Sequence, residues 1–421
     1  MSKPSVPGGN RLLLLITSWI LYVAVWTKQP VMLQKKPNES PDDEKMPFNA
    51  SIDIATMVVG PDFLPRLFPL IKNILYYEGR VRYWMTNCAL NIGTINAHNC
   101  PEQQIKPSTH LNFHLLTDAR SKIIVQNYFQ DMQIKDFTLH LYDFESVVHI
   151  LDVIPDELYN GNPRKWRNIW AAWLRKCRKK TKIKTAGRNR TTWTTLRIAW
   201  PEILPENVSK VITIDTDVLI NQDIWNLWKH FYRFNSTQML GGIFELTDYL
   251  KGRMDSPEQP MLGNGFNGGV LLMDLRKMRQ QNWAELWRKA VANIAETDKF
   301  IAFSDQKIFN VIMYRNRHFF YELPCEWNIV IGHGTPAAVC PVAWVVGIHN
   351  RRNCLIPRQS ALRLIGLAHY TAKPKPGDLA GRNLRRAILV KTVQTFRDRD
   401  LHITFNEVYY AFDGMDKHCF G

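Results

Sequence analysis

The hydrophobic positions after residue 50 fall into two alternating patterns. Short apolar runs occur at residues 53–60, 110–118, 137–144, 210–220 and 238–246. Segments with helical spacing of apolar residues lie between them, at 64–79, 122–132 and 223–234. Apolar runs of this length predict buried strands, and their alternation with helices predicts an α/β fold with a mostly parallel sheet and helices on both faces. Ligands of such sheets bind outside the carboxyl ends of the strands.

One predicted strand ends in two acids. Residues 211–220 read VITIDTDVLI, so Asp215 and Asp217 follow an apolar run. If the strand continues through them, alternation puts both carboxylates on one face, about 6 to 7 Å apart. Like charges at this distance repel unless a cation lies between them, and Mg²⁺ or Mn²⁺ prefers such oxygen ligands. The pair therefore predicts a metal site, and capping of the following helix is the structural alternative.

Three later stretches place polar residues in apolar surroundings. Residues 263–269, GNGFNGG, put Asn267 among glycines, which allow backbone to approach a ligand closely. Residues 303–309, FSDQKIF, predict a helix N-terminus with Asp305 and Gln306 at its start. The stretch YELPCEWN follows at 321–328.

In this order, the motifs D-x-D, F-N-x-G-V, D-Q-x-x-x-N and P-C-x-W-N resemble those of glycosyltransferase family 8. The likeness covers most of residues 50–350 and implies the GT-A fold, a Rossmann-like fold for nucleotide sugars, and a retaining enzyme. Residues 154–161 and 204–217 look most like the xylosyl half of the bifunctional xylosyl- and glucuronyltransferase that extends the dystroglycan glycan. Residues 234–238 and 348–353 look more like glucoside xylosyltransferases. We therefore expect transfer of a sugar, with xylose favoured, from a UDP-sugar to a glycan on a glycoprotein.

The resemblance also implies roles for individual residues. Asp215 and Asp217 match the motif that holds Mn²⁺ against the UDP diphosphate, and Asp305 and Gln306 match the catalytic pair beside the anomeric carbon. The residues expected to contact the nucleotide sugar are Val59, Gly60, Arg197, Asp215, Thr216, Asn267, Gly268 and Lys375. Arg197 stands where the family has a lysine.

The family's third metal ligand is a histidine late in the chain, and two residues compete for this role. His349 ends an apolar run nine residues after Cys340. His369 begins HYTAKPKP, which is similar to the family pattern H-x-x-G-x-x-K-P with alanine in place of glycine. We slightly favour His349, because its position after a predicted disulfide loop constrains its geometry more.

The N-terminus predicts a membrane anchor. Residues 12–26 are uncharged and apolar, and basic residues lie mainly before them. Bulky side chains occupy the positions where a cleaved signal peptide needs small ones, so an uncleaved signal anchor is favoured over a signal peptide. We expect a cytoplasmic tail at 1–11, a stem at 27–50 and a lumenal catalytic domain at 51–421, in a single-pass type II protein of the Golgi membrane.

Glycosylation sequons and cysteines are consistent with a lumenal location. Five N-x-S/T sequons occur, at Asn38, Asn49, Asn189, Asn207 and Asn235. The chain has seven cysteines. Cys325 and Cys340 flank a loop that contains Gly, His and Pro, and we expect a disulfide between them.

The charge of the chain is concentrated in one segment. The formal net charge is +16, and residues 163–190 contain twelve Lys/Arg and no acid, which leaves +4 for the rest. Such a distribution argues against a nucleic-acid-binding protein. Residues 82–107, 162–194 and 351–391 are long connections relative to the family pattern and predict insertions. If they disable donor binding, a membrane-anchored glycan-binding pseudoenzyme is the alternative function. A homodimer is left open.

Overall fold

The apolar runs of the sequence form strands that are largely buried. A computed structural model of the chain describes residues 50–82, 85–88, 90, 109–152, 195–247, 260–297, 305–332, 335, 339–344, 363–378 and 396–421. The strands are β1 Ser51–Val58, β2 His110–Thr117, β3 Phe137–Asp143, β4 Val211–Ile214, β5 Val218–Ile220, β6 Leu240–Gly242, β7 Val270–Met273, β8 Phe320–Glu322, β9 Ile329–Ile331, β10 Val342–Ala343, β11 Arg363–Leu364 and β12 Leu367–Tyr370.

Helices connect these strands. They are α1 Leu64–Tyr77, α2 Ala119–Gln130, α3 Phe144–Val147, α4 Trp200–Ile203, α5 Ile224–Trp228, α6 Leu275–Gln280, α7 Trp283–Thr297, α8 Asp305–Arg315 and α9 Phe396–Gly414. Several start at an aspartate whose carboxylate accepts backbone N–H groups of the first turn, as Asp118 does for α2 and Asp274 for α6. Such caps satisfy amides that have no partner within the helix.

Seven of the described strands form the main sheet, in the order β3-β2-β1-β4-β7-β6-β8. All neighbouring pairs are parallel except those that β7 makes with β4 and β6. The predicted mostly parallel sheet is therefore confirmed. Three further strands form a smaller sheet in the order β5-β12-β9, and β5 is the strand that follows β4 in the sequence. Strands β10 and β11 form a separate pair.

A hydrophobic cluster packs helices against the main sheet. It joins Ala55 of β1 and Leu271 of β7 to Trp200 of α4, Trp287 of α7 and Phe309 of α8. These five residues are fully buried. Burying an aromatic or aliphatic side chain of this size contributes about 1.5 to 3 kcal/mol, so this cluster holds α4, α7 and α8 against the sheet.

The strand that carries the two acids is shorter than predicted. β4 ends at Ile214, residues 215–217 form a turn, and β5 begins at Val218 in the other sheet. Asp215 and Asp217 therefore do not share one face of a continuous strand, and that prediction is wrong. The chain turns because it passes from the main sheet, where Ile214 pairs with Val270, to the small sheet, where Val218 pairs with His369.

The C-terminal helix α9 packs against α1. Lys72 of α1 is 5% exposed, and its ammonium donates to the carbonyls of Phe412, Asp413 and Met415 at 3.0, 3.2 and 2.5 Å. These carbonyls end a helix, where negative partial charge collects, so a cation is favourable there. Burial lowers the pKa of Lys72, and Asp413 and Asp416 partly oppose this.

Two disulfides lie in the described part of the chain. The predicted bond between Cys325 and Cys340 is confirmed. The second joins Cys88 to Cys419, which are separated by 331 positions, and so ties the C-terminus to the segment after α1. The chain beside it is also paired, because Arg82 N donates to Cys419 O at 2.8 Å.

Several predicted segments fall wholly or mainly outside the described residues. These are the anchor at 12–26, the stem at 27–50, the insertion at 162–194, most of 82–107 and much of 351–391. No helix in the described ranges is both long and apolar enough to span a bilayer.

We predict that Lys72→Met destabilises the fold by about 1 to 3 kcal/mol, because the substitution leaves buried carbonyls without a donor while conserving side-chain length. Urea unfolding followed by fluorescence measures the change. Lys135→Met is the matched control, since Lys135 is exposed. Equal midpoints for both variants would contradict the proposed role of Lys72.

Candidate active site

The turn that carries the two acids is fixed by backbone hydrogen bonds at both ends. Asp215 N donates to Gly269 O at 2.9 Å, and Asp217 O accepts from Tyr370 N at 2.9 Å. The first bond ties the turn to the glycine loop before β7, and the second ties it to β12. Because β7 runs antiparallel to β4, its amino end lies at the carboxyl end of β4. The topology thus brings three distant segments together.

His369 of β12 faces both acids. Its Nε2 lies 3.7 Å from Asp215 Oδ2 and 3.5 Å from Asp217 Oδ1, and the ring is buried. One ligand atom from each of the three residues lies within 4.8 Å of the others. The other ring nitrogen, Nδ1, has no hydrogen-bond partner among the described residues. A side chain at position 269 would collide with this ring, since a Cβ there would lie 2.2 Å from Nδ1, so the close approach requires glycine.

These three side chains fit a divalent cation. Ligand atoms held at roughly 2.1 Å from one ion lie about 3 to 4 Å from each other, which matches the separations around His369 Nε2. Two carboxylates with one imidazole form a donor set suited to divalent ions such as Mn²⁺, Fe²⁺ or Zn²⁺. The residues present are therefore sufficient to hold such an ion, and their chemistry does not select one metal.

Two basic side chains flank the acids. Arg197 is buried beside them: its guanidinium donates to the Asp215 carboxylate and to Gly268 O, and its Nε lies 3.4 Å from Asp305 Oδ2. Lys375 donates to the Asp217 carboxylate and to Tyr370 O. Each acid thus has its own cation, which offsets the repulsion between two nearby carboxylates.

Burial and charge shift the two acids in opposite directions. Burial raises the pKa of Asp215, and Arg197 only partly counters this. Burial also acts on Asp217, but Lys375 and His369 outweigh it and hold the pKa of Asp217 well below its ordinary value. Asp217 is therefore the acid that stays ionised at all physiological pH values.

The glycine loop and α8 form the adjoining wall. Asn267 Oδ1 accepts from Gly269 N at 2.8 Å, which shapes the loop. Gln306 Nε2 donates to Phe266 O at 3.1 Å, and the Asp305 side chain at the start of α8 is buried next to Arg197. The metal-ligand cluster consists of Asp215, Asp217 and His369. The structure places six further predicted site residues around it: Arg197, Asn267, Gly268, Asp305, Gln306 and Lys375.

The predicted nucleotide turn lies at the end of β1, which neighbours β4 in the sheet. Gly60 has a φ of 103°, a conformation that L side chains rarely adopt, and its N–H donates to Asp118 Oδ2 at 2.5 Å. Burial raises the pKa of Asp118, but hydrogen bonds from Ser121 and Gly60 outweigh it, so the pKa of Asp118 is lowered. Val59 beside Gly60 is half-buried, and its turn lies at the same edge of the sheet as the acids.

Of the two histidine candidates for the third metal ligand, only His369 lies among the described residues. His369, the less favoured one, lies against both acids. His349 lies outside the described residues. Thr216 is buried within the turn between the acids.

Glu245 is a site residue that the sequence analysis missed. It lies three residues after β6, is 7% exposed, and its N–H donates to Gly265 O at 2.8 Å. Burial raises the pKa of Glu245, while a hydrogen bond from Thr247 and the charge of His369 lower it. A single acid after an apolar strand was a usable signal, because β6 is parallel to β4 and ends at the same edge.

Comparison with known proteins identifies relatives over most of this region. The sequence profile described as Glycosyl transferase family 8 matches residues 95–376. A mouse protein named Xylosyl- and glucuronyltransferase LARGE2 is 27% identical over 232 residues, which are 55% of this chain and 29% of that protein. The human Xylosyl- and glucuronyltransferase LARGE1 is 26% identical over the same length, 27% of that protein. The chain thus spans less than a third of the length of these relatives.

Solved structures resemble the chain more distantly. Mouse xyloside xylosyltransferase 1, in its apo form, gives a TM-score of 0.45 at 17% identity over 76% of this chain and 97% of that one. The galactosyltransferase LgtC, solved with donor and acceptor sugar analogues, gives 0.44 at 14% identity over 83% of this chain and all of that one.

We predict that Asp217→Ala lowers Mn²⁺ affinity at least tenfold, because it removes the ionised ligand of the cluster. Isothermal titration calorimetry of the full chain measures this, and circular dichroism verifies that the variant is folded. Glu206→Ala is the control, since it removes an exposed acid on a loop at the other edge of the sheet. Unchanged Mn²⁺ affinity in folded Asp217→Ala would refute the metal site.

Proposed function

The chain belongs to glycosyltransferase family 8, and on this premise we propose that it transfers a sugar, with xylose favoured, from a UDP-sugar to a glycan on a glycoprotein. The observation that carries the proposal is the convergence of Asp215, Asp217 and His369 with Arg197 and Lys375. A nucleotide sugar has a diphosphate that requires cations and a sugar that requires hydrogen-bonding groups. These residues, together called the cleft below, present both kinds of partner at one edge of the sheet.

Asp215, Asp217 and His369 would hold the divalent cation, with Mn²⁺ favoured. Bound there, such a cation neutralises negative charge on the departing diphosphate. Lys375 ends beside the same acids and is a direct phosphate partner, because its ammonium is a mobile point charge on a flexible stem.

Arg197 would position the groups on the sugar side. It holds Asp215, Asp305 and the carbonyl of Gly268 at once, so three segments keep their relative places when the donor enters. Asp305 is thereby oriented by a charged hydrogen-bonding partner. Preorganised charges of this kind stabilise charge that develops as the glycosidic bond breaks.

Gln306, Asn267 and Glu245 supply polar atoms for hydroxyl groups. Gln306 uses its amide nitrogen on Phe266 O. Its amide oxygen is the remaining acceptor for a sugar hydroxyl. Glu245 is buried near His369 and is a candidate to bind the acceptor, since β6 ends at the edge of the sheet where the donor site lies.

The proposed cellular setting is the Golgi lumen, with the protein anchored through residues 12–26. The identity of 26–27% to xylosyl- and glucuronyltransferases favours a xylosyl donor. The proposed acceptor is a glycan on a glycoprotein.

The test is UDP release by the full chain with Mn²⁺ and each of four donors: UDP-xylose, UDP-glucose, UDP-galactose and UDP-glucuronate. We expect turnover with UDP-xylose to exceed that with the other donors, and Asp217→Ala to lose it. Absence of turnover with all four donors would contradict the proposed activity. Absence of UDP binding as well would favour the alternative, a glycan-binding pseudoenzyme whose donor site is disabled.

We predict that Asp378→Asn weakens UDP binding about tenfold while leaving Mn²⁺ affinity unchanged. Asp378 Oδ1 accepts from Arg66 of α1 at 2.6 Å and Oδ2 accepts from Lys375 N at 3.1 Å, so it ties the Lys375 loop to the helix after the nucleotide turn. The amide keeps the second contact and loses the ion pair, which is mostly buried.

Calorimetry with UDP and with uridine distinguishes loss of the Lys375 position from a general destabilisation of the nucleotide site. UDP requires both tied segments, whereas uridine requires only the nucleotide turn, so uridine binding should change less. Asp131→Asn is the control, since its ion pair with Lys417 is exposed and contributes little. Equal losses for UDP and uridine would show that Asp378 does not act through Lys375.

A further inference from the structure

Two of the five sequons lie in described loops, and both asparagines are exposed. Asn207 is in the turn between α4 and β4, and Asn235 is in the turn before β6. Asn38, Asn49 and Asn189 lie outside the described residues. The proposed transfer reaction uses neither Asn207 nor Asn235.

Both loops lie at the edge of the main sheet opposite the acids. β4 and β6 each pair antiparallel with β7, so they run in the same direction. The loop that enters each strand is therefore at the amino-terminal edge, whereas Asp215 and Glu245 follow the carboxyl ends. A large group on either asparagine would point away from the cleft.

The single helix α6 fixes both loops. Lys277 Nζ donates to Asn235 O at 2.5 Å and to Gln238 O at 2.9 Å. The Arg279 guanidinium donates to the carbonyls of Pro201, Leu204, Pro205, Glu206 and Val208, at 2.9 to 3.2 Å. These loops therefore hold one backbone shape, and their exposed side chains stay outside the core.

The side-chain amides are presented to solvent. Asn235 Oδ1 accepts from Thr237 N, Gln238 N and Thr237 Oγ1 at 2.9 to 3.0 Å, so the amide oxygen faces its own turn. Its Nδ2 makes no hydrogen bond to another described residue, and neither does the amide of Asn207. Exposed asparagines in turns are common. These two are in addition followed, two positions later, by the hydroxyl residue that a sequon requires: Ser209 after Asn207 and Thr237 after Asn235.

We propose that Asn207 and Asn235 both carry N-linked oligosaccharides. The co-substrate is a lipid-diphosphate-linked oligosaccharide, the usual donor class for this modification. A bond forms between the anomeric carbon of its first sugar and Asn Nδ2, the bond from that carbon to the diphosphate oxygen breaks, the lipid diphosphate leaves, and Nδ2 loses one proton. The inference rests on the proposed secretory location and not on transferase activity.

The two glycans define a carbohydrate-covered face at the amino-terminal edge of the sheet. A bulky, hydrated chain on each loop keeps other surfaces away. This face is then closed to a bilayer and to a second copy of the chain, while the cleft at the opposite edge stays open to donor and acceptor.

The experiment is site mapping on the full chain produced in cultured animal cells. Peptide-N-glycosidase in heavy-oxygen water converts each glycosylated asparagine to labelled aspartate, and we expect the label at both 207 and 235. Asn207→Gln and Asn235→Gln should each remove one mobility step on a gel, as should Ser209→Ala. Thr237→Ser keeps the sequon and the hydroxyl and should remove none.

Unlabelled Asn207 and Asn235 in the wild-type chain would overturn the proposal, whether or not the chain had entered the lumen. Wild-type mapping requires no variant to fold. Donor turnover is measured separately on unglycosylated chain from bacteria, so failure of the modification and failure of the proposed activity are distinguishable. The double variant should retain turnover within twofold of wild type, because both loops lie away from the cleft.

Discussion

The structure depends on one electrostatic constraint, which is the close approach of two acids in a three-residue turn. Asp215 and Asp217 both lie where desolvation penalises charge, and they repel each other. Arg197, Lys375 and His369 offset that penalty from three different parts of the chain. Removing Arg197 or Lys375 takes away the cation that pairs directly with one of these buried carboxylates, which is strongly unfavourable. The same arrangement makes the turn ready for a cation and a diphosphate, since both can replace the internal partners.

Support for this constraint comes from the end of the chain. Tyr370, next to His369, donates or accepts a hydrogen bond with His402 Nε2 at 2.7 Å, and its ring packs against Phe405. Tyr409 OH donates to Pro65 O at 2.5 Å, close to Arg66. Helix α9 therefore contacts both β12 and the start of α1. The Cys88–Cys419 bond then closes the segment beyond α9 onto the chain after α1.

Local patterns predicted the parts of the molecule that depend on neighbouring residues. The apolar runs predicted the strands, their alternation with helices predicted the sheet, and a short loop predicted the Cys325–Cys340 bond. The turn at 215–217 escaped prediction because the apolar residues on both sides of it suit one continuous strand. Its cause is the partner strand, since β5 pairs with β12 about 150 positions later. The Cys88–Cys419 pair escaped for the same reason, because spacing along the chain carries no information about a contact between residues 331 positions apart.

Strand direction separates the two edges of the main sheet. The antiparallel strand β7 brings the glycine loop to the carboxyl end of β4, which a parallel strand in that place would have sent to the opposite edge. The helix that leaves β7 is α6, and it begins at the amino-terminal edge, where Lys277 and Arg279 fix the loops entering β4 and β6. The reversed strand β7 thus determines the geometry of both edges. The glycine loop before it contacts Asp215 and His369. Helix α6 after it fixes the loops at the opposite edge. Variation in those loops is therefore decoupled from the cleft, since the reversed strand between them is buried in the core.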